Sequence, residues 1–317
     1  MKRIILFAMA SILLSACAKE KSTGTPSIED FNYTVDKFAD IEILRYRVPD
    51  FELLSLKQKE LVYYLSEAAL CGRDILFDQN NKYNLAIRKT LEAVYVNYRG
   101  DRHSEEFANL IVYLKQVWMG NGIHHHYSTD KFTPHFSSEF FAESVKSIDA
   151  SKLPLAQGQT VEELIAVLAP VIFDPNAYAK RVNQADGVDL LLTSANNYYE
   201  GVTQAEAEAF YNAMKDPKDL TPMSYGLNSK LIKENDQLLE KTYRVGGMYS
   251  AALEKIVFWL EKAVTVAENE QQADVIRTLI DYYRTGNLKT YDEYSIKWVE
   301  DLASTVDFIN GITEVYG

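Results

Sequence analysis

Apolar residues recur three and four positions apart along most of the chain, the spacing that places side chains on one face of an α-helix. Thr203 followed by Glu206 has the spacing of a capping box, and Pro170 is expected to end the helix before it. The pattern predicts helices at 55–77, 82–98, 104–119, 137–148, 160–169, 203–215, 253–264, 271–284 and 290–303.

Two segments alternate apolar and polar residues with a period of two, which is typical of strands. They are 40–48, closed by Pro49, and 305–316, and they could pair with each other. We expect a loop at 120–136, irregular structure at 174–202, and either a strand or a short helix within 216–246. The fold class is therefore α+β and helix-dominated.

The first residues have the order and spacing of a bacterial lipoprotein signal. A basic start precedes eleven apolar residues, a run too short to span a bilayer, and Leu14-Ser15-Ala16-Cys17 follows. An ordinary signal peptide with an accidental cysteine is the alternative. We predict a signal peptide at 1–16, lipidation of the Cys17 thiol, a polar tether at 17–30, and a folded body at 31–317. The mature protein would be anchored to a membrane and face the periplasm.

Charge and cysteine content narrow the choice of partners. Cleavage before Cys17 would remove two of the 33 basic residues and none of the 45 acidic ones, which changes the net charge from −12 to −14. Nucleic acid and anionic lipid both repel such a body, so we expect no nucleic-acid partner. With Cys17 lipidated, Cys71 has no partner for a disulfide within the chain.

Familiar catalytic motifs are missing from the 317 residues. The sequence contains no H-E-x-x-H, G-x-S-x-G, P-loop or G-x-G-x-x-G. The run His124-His125-His126 could bind a metal with Asp130 and His135, but adjacent side chains diverge, and we favour a polar surface loop. Cys71 could be a reactive thiol, but its small apolar neighbours favour a packed helix position.

Glu314 and Tyr316 are candidates for binding a peptide. On a strand, residues two apart share a face and lie roughly 6.6 Å apart, and a peptide alongside as an added strand has the same repeat. A carboxylate can bind an α-ammonium group through a charge-assisted hydrogen bond. A phenol two residues along could then donate to the oxyanion forming on the second carbonyl. An edge-strand glutamate that is merely solvated is the alternative.

Three segments resemble the dipeptidyl peptidase III metallopeptidases (family M49). Asn310–Gly317 is similar to the family's stretch around E-x-Y, while LSEAALCGRDILFDQN at 65–80 and WMGNGIHHHYSTDKFTPHF at 118–136 resemble its Bacteroidetes branch. The resemblance covers the mature chain but only about the first half of a family member. The motifs H-E-x-x-G-H and E-E-x-x-[AG]-D lie downstream in the family and are absent here.

The resemblance implies a two-lobed zinc enzyme that removes dipeptides from the N-terminus of short peptides. This chain would be the N-terminal lobe, with helices around an incomplete five-stranded β core, and its partner would be the missing C-terminal zinc lobe. Glu314 would bind the substrate's α-ammonium group and Tyr316 would stabilise the tetrahedral intermediate. Zinc is expected for the complete protein, but its ligands are not in this chain, so the chain alone is not expected to hydrolyse peptides.

A helical substrate-binding lipoprotein of a nutrient-uptake system is the alternative. A lipid anchor, a tether and a helical, aromatic-rich body suit it equally well. In that case, changing Glu314 would leave the affinity for the ligand intact.

Overall fold

The structure is a computed structural model that describes residues 31–311. Residues 31–47 and 48–311 form two separate units. The first is an antiparallel hairpin of β1 (Thr34–Phe38) and β2 (Ile41–Leu44), joined by a turn in which Ala39 has a φ of 48°. The strand predicted at 40–48 is confirmed at 41–44, but the sequence pattern missed β1.

The unit at 48–311 is mostly helical. Its elements are α1 (Leu56–Asn80), α2 (Asn84–Asn97), α3 (Glu105–Met119), α4 (Ser138–Lys146), α5 (Val161–Phe173), α6 (Leu190–Thr193), β3 (Tyr199–Glu200), α7 (Gln204–Asn212), β4 (Ser229–Glu234), β5 (Gln237–Thr242), α8 (Ser250–Thr265), α9 (Glu270–Thr285) and α10 (Leu288–Glu300). The predicted fold class, α+β and helix-dominated, is confirmed. Within residues 31–311, no helix combines the length and apolar character needed to cross a membrane.

Helix ends follow local chemistry. Ser55, Thr160 and Thr203 each cap a helix through a capping box, as predicted for Thr203 and Glu206. The predicted end of α5 at 169 is wrong, because the helix continues through Pro170 to Phe173. Val171 and Ile172 are buried in the core, and this packing offsets the missing backbone N–H of the proline.

Two apolar cores support the helices. One joins α2, α3, α4 and α5 with the loop after α3, and the other joins α1, α8, α9 and α10. The small sheet has the order β3-β4-β5, with β3 parallel to β4 and β4 antiparallel to β5. Asn235 and Asp236 both have positive φ in the β4–β5 turn, a conformation that these two residue types favour. The pair is therefore the local signal for a hairpin within 216–246, where the sequence predicts either a strand or a short helix. The five strands described belong to two sheets, of two and three strands.

A buried polar cluster at the end of α1 connects four parts of the larger unit. We call the side chains of Asp78, Gln79, Asn80, Asn81 and Asn84 the polar hub. The last three donate hydrogen bonds to the carbonyl oxygens of Asn121, Ala195 and Phe77, at 3.1, 3.2 and 3.1 Å. Asn80 and Asn81 therefore satisfy carbonyl oxygens of other segments, and Asn84 shares the Phe77 oxygen at the end of α1 with the Asn81 N–H.

Asp78 extends the polar hub toward β4 and α8. Its carboxylate accepts hydrogen bonds from the Tyr249 hydroxyl at 2.7 Å and the Asn197 amide at 3.2 Å. The Asn197 side chain in turn accepts from the buried Lys230 ammonium at 2.7 Å. Tyr249 begins α8 in the left-handed region, with a φ of 64°, so this contact fixes a strained residue at a helix start.

His124 is a core residue. It is 1% exposed, and its Nε2 lies 2.7 Å from the carbonyl oxygen of Tyr178, so the Nε2–H donates and Nδ1 carries no proton. Burial lowers the pKa of His124 to about 4, and the positive charges of Arg181 and Lys131 act in the same direction. The hydrogen bond to Tyr178 and the charge of Asp130 oppose this shift without cancelling it. Protonation of His124 at acidic pH therefore places a positive charge inside the core, which is unfavourable.

Replacement of Gly122 tests the packing of the polar hub. Gly122 has a φ of 142°, and a Cβ there would lie 2.0 Å from Asn84 Nδ2. We expect Gly122→Ala to lower the free energy of unfolding by about 2 kcal/mol or more. Gly158→Ala is the matched control, since Gly158 also has a positive φ but no atom near its Cβ position. It should cost about 1 kcal/mol. Urea denaturation measures both, and equal losses would contradict the proposed packing constraint.

The buried ring of His124 predicts a pH dependence of stability. The pKa of His124 is 6.5 in the unfolded chain and about 4 in the folded one. The neutral ring therefore contributes fully to the free energy of unfolding above pH 6.5, and this contribution is lost as the pH falls toward 4. The loss amounts to roughly 3 kcal/mol, at about 1.4 kcal/mol per pH unit. His124→Gln should reduce this slope in denaturation curves between pH 7 and 4.5. The exposed His103 provides the control, and an equal reduction in His103→Gln would contradict the assignment.

Candidate functional site

The site residues predicted from the sequence fall at the two ends of the chain. Cys17, Glu314 and Tyr316 lie outside the described residues 31–311. The segment from Asp301 to Gly311, which we call the lead segment, is described and immediately precedes residues 312–317 in the sequence. Its contacts are therefore the structural basis on which this candidate site can be assessed.

The lead segment alternates in exposure without forming a strand. Val306 is 8% exposed, Phe308 is half-buried, and Ile309 between Phe308 and Asn310 is 84% exposed. The period of two read from the sequence is therefore present. The strand predicted from Thr305 is nevertheless wrong for its described part, because residues 305–311 pair with no strand of residues 31–311. The alternation reflects packing of one side against helices.

Side chains hold the backbone of Val306 from both directions. Its N–H donates to Glu268 Oε1 at 2.6 Å, and its carbonyl oxygen accepts from Gln272 Nε2 at 2.7 Å. Gln272 is 1% exposed, and its own Oε1 accepts from the N–H of Glu268 at 2.8 Å. The start of α9 thus supplies the hydrogen bonds that a neighbouring strand would otherwise make.

Two further contacts hold the rest of the lead segment. The Trp298 indole donates to Asp307 Oδ1 at 2.8 Å, and the Tyr283 hydroxyl donates to Asn310 Oδ1. Both donors are on helices of the second core, α10 and α9. The Asn269 amide also donates to Ser304 Oγ at 3.0 Å, so the lead segment is fixed at several points, and the last one described is Asn310.

Glu268 remains ionised in its contact with the lead segment. Burial opposes ionisation, but hydrogen bonds from the Val306 N–H, the Gln58 amide and Thr305 outweigh it and hold the pKa of the carboxyl below its usual range. The Gln58 amide lies 2.7 Å from Glu268 Oε2. A charged acceptor makes a stronger hydrogen bond than a neutral one, so this contact is a firm attachment point for Val306.

A cavity of about 410 Å³ lies between the lead segment and the helices. Residues of α1, α8 and α9 line it, and most of its surface is apolar; among them are Leu65, Ala69, Leu76, Ile256 and Tyr283. Ala69 and Gly72 on α1 have small side chains, which leave space for the cavity. The inward side chains of the lead segment point toward this apolar space.

The histidine loop does not assemble a metal site within the described residues. His124 is committed to Tyr178, Asp130 forms an ion pair with Lys180, and His135 is exposed. No group of three or more histidine, cysteine, aspartate or glutamate side chains in residues 31–311 is arranged to hold a metal ion. The interpretation of the run as a polar surface loop is wrong for His124, because its ring is in the core.

Cys71 lies half-buried on α1. Burial raises the pKa of its thiol, and the nearby Glu67 acts in the same direction, while Lys255 opposes both. A raised pKa disfavours the thiolate that a nucleophile needs. The packed helix position predicted from the sequence agrees with this environment.

Part of the chain matches a known protein family. Residues 195–317 match the model of peptidase family M49. This range includes β3–β5, α7–α10 and the whole lead segment.

A curated relative and two solved structures are similar over more of the chain. Dipeptidyl peptidase 3 of Dictyostelium discoideum is 23% identical over 321 aligned positions, which cover 92% of this chain and 44% of the relative. The chain thus spans less than half of that relative's length. DPP III from Caldithrix abyssi aligns with 81% of the chain and 36% of its own, at 17% identity and a TM-score of 0.49. Dipeptidyl-peptidase III from Corallococcus sp. strain EGB aligns with 81% of the chain and 35% of its own, at 15% identity and a TM-score of 0.47.

The family match and the curated relative agree with the resemblance carried by Asn310–Gly317 and by the segments at 65–80 and 118–136. The predicted family is confirmed by the match of residues 195–317 to the model of peptidase family M49, and the curated relative agrees with it.

Proposed function

We propose that this chain supplies the peptide-binding part of a zinc-dependent dipeptidyl peptidase that removes dipeptides from the N-terminus of short peptides. The observation that carries the proposal is the family match over 195–317, because it includes Glu314 and Tyr316. The anchored lead segment, which immediately precedes them in the sequence, supports it.

Glu314 binds the substrate's α-ammonium group in this proposal. A carboxylate and an ammonium group form a charge-assisted hydrogen bond, which is stronger than a neutral one. A peptide whose N-terminus is acetylated has neither the charge nor the same donors. Recognition of a free N-terminus therefore separates this function from general peptide binding.

Tyr316 acts on the reaction rather than on ground-state binding. Two residues from Glu314, its hydroxyl would donate a hydrogen bond to the oxyanion that forms on the second carbonyl of the substrate. The spacing of the two residues then sets the length of the product at two residues. Loss of this hydroxyl should lower the rate of the complete enzyme and leave peptide affinity nearly unchanged.

Zinc would supply an activated water molecule in the complete enzyme. The described residues 31–311 do not fit a zinc site, because no suitable group of ligands occurs among them. The motif H-E-x-x-G-H is also absent from the 317 residues. We therefore assign no zinc ligand and no hydrolytic step to this chain, and its proposed partner is a C-terminal zinc lobe.

Residues 1–30 support a second part of the proposal, a lipid anchor at Cys17 that holds the protein at a membrane facing the periplasm. The order of basic start, apolar run and Leu14-Ser15-Ala16-Cys17 is the basis for this assignment.

Replacement of Glu314 tests the peptide-binding role. Glu314→Gln should weaken binding of a tetrapeptide with a free N-terminus by on the order of tenfold to a hundredfold, since it removes the charged acceptor. The affinity for the N-acetylated tetrapeptide should not change. Calorimetric titration gives both dissociation constants. Glu300→Gln is the matched control, because Glu300 is an exposed glutamate at the end of α10. If the natural chain binds both peptides equally well, the substrate-binding lipoprotein becomes the better explanation.

The anchor is tested by replacing each cysteine in turn. Cys17→Ser should move the protein from the detergent-rich to the aqueous phase in phase partition, and the mass should show that residues 1–16 are retained. Cys71→Ser should partition like the natural protein and keep the mass added by the lipid. Equal partition of the two variants would rule out Cys17 as the anchor.

A further inference from the structure

The cavity beside the lead segment has a buried apolar floor and an exposed mouth. Its floor is made of side chains that solvent hardly reaches, namely Ala68, Ile75, Ile256, Leu260 and Leu279. Ser66, Ala69 and Arg73 of α1 line the same space and are exposed, so the cavity opens along this face of α1. Small-molecule sites typically have volumes of roughly 300–1,000 Å³ and mostly apolar walls with a few polar groups, and this cavity fits that description.

The acceptors that the lead segment brings to the mouth are already engaged. Asp307 Oδ1 accepts hydrogen bonds from the Trp298 indole at 2.8 Å and from the N–H of Phe308 at 2.7 Å. Asp307 is the acidic residue of the described lining, and its carboxylate is thereby held against α10. Asn310 Oδ1 accepts from the Tyr283 hydroxyl. A ligand that approaches as a hydrogen-bond donor therefore finds these two oxygens in use.

Hydrogen-bond donors at the mouth remain available. Within residues 31–311, no side chain or carbonyl group forms an ion pair or hydrogen bond with the Arg73 guanidinium, and the Asn310 amide nitrogen has no acceptor there either. A guanidinium group carries five N–H donors in a planar arrangement that matches the two oxygens of a carboxylate. The mouth thus offers a positive charge and N–H donors next to an apolar floor.

We propose that this cavity binds a small amphipathic carboxylate, whose unbranched hydrocarbon chain lies on the apolar floor while its carboxylate reaches Arg73. A neutral apolar molecule would leave the donors of Arg73 unused, and a cation would be repelled by it. Because Arg73 is exposed, burial of the hydrocarbon chain supplies most of the affinity and the ion pair adds selectivity. The site is a second ligand site of the chain and does not depend on peptide binding.

A series of carboxylates of increasing length tests the apolar floor. Calorimetric titration of the full chain with hexanoate, octanoate and decanoate should show one site per chain. Each step of two CH₂ groups should raise the affinity on the order of tenfold, since one buried CH₂ is worth about fourfold. Absence of decanoate binding, or an affinity that does not rise with chain length, would overturn the inference.

Replacement of Arg73 tests the choice of an anion. Arg73→Gln should weaken decanoate binding about threefold to fivefold, the range of an exposed ion pair, and leave the affinity for decanol unchanged. Arg99→Gln is the matched control, because Arg99 is an exposed arginine after α2 that does not line the cavity. If the natural chain binds decanol as tightly as decanoate, or if both variants lose the same affinity, the inference is wrong.

A larger side chain in the cavity tests the location of the site. Ala69→Leu should weaken decanoate binding on the order of tenfold or more, because the longer side chain displaces CH₂ groups of the ligand from the apolar floor. Ala209→Leu is the matched control, since Ala209 is an exposed alanine on α7 outside the cavity. Urea denaturation shows whether both variants fold. Equal decanoate affinities of the two folded variants would contradict the proposed location.

A second copy of this chain is the other occupant that an exposed apolar opening suits. Sedimentation of the natural chain and of both leucine variants separates this case from a small ligand. A dimer that Ala69→Leu dissociates and Ala209→Leu does not, together with no binding of decanoate, would replace the inference by a contact between copies. A monomer that binds decanoate in the cavity supports it.

Discussion

The polar hub at the end of α1 is the constraint on which the larger unit depends. A helix that ends inside a protein leaves carbonyl groups without partners. Asn84 donates to the carbonyl oxygen of Phe77 near the end of α1, while Asn80 and Asn81 bind two other chain segments at Asn121 and Ala195. Because Asp78 also accepts from Tyr249, the start of α8 is set by the same cluster that sets the end of α1. α8 packs along α1 and α9 packs along α8, so the position of α9 follows from the hub.

That chain of contacts extends to the lead segment. α9 carries Gln272 near its beginning and Tyr283 near its end, and both hold the lead segment. The segment 65–80, which resembles the peptidase family in sequence, contains most of the polar hub and supplies a wall of the apolar cavity. Its role in the described structure is to position other elements.

Helical periodicity was enough to predict α1 to α5 and α7 to α10, because each buries one face against a core, and capping chemistry marked where several begin. It failed where long-range packing decides the outcome. Pro170 is tolerated because Val171 and Ile172 are buried beyond it. His124 is buried in the core, where the carbonyl oxygen of Tyr178 accepts a hydrogen bond from its Nε2–H. Neither partner could be identified from sequence spacing. Glu314 and Tyr316 were proposed from spacing and resemblance, while Tyr283 carries no local signal at all, since its partner lies 27 residues away.

The lead segment shows what a period of two does and does not establish. Alternation requires only that one side of an extended chain is buried, and helices can bury it as well as a neighbouring strand can. The geometric argument for Glu314 and Tyr316 needs the shared face and not the pairing. At Val306 both backbone groups are already bound, by Glu268 and Gln272, so side chains at the start of α9 replace the partner strand that the alternation had suggested.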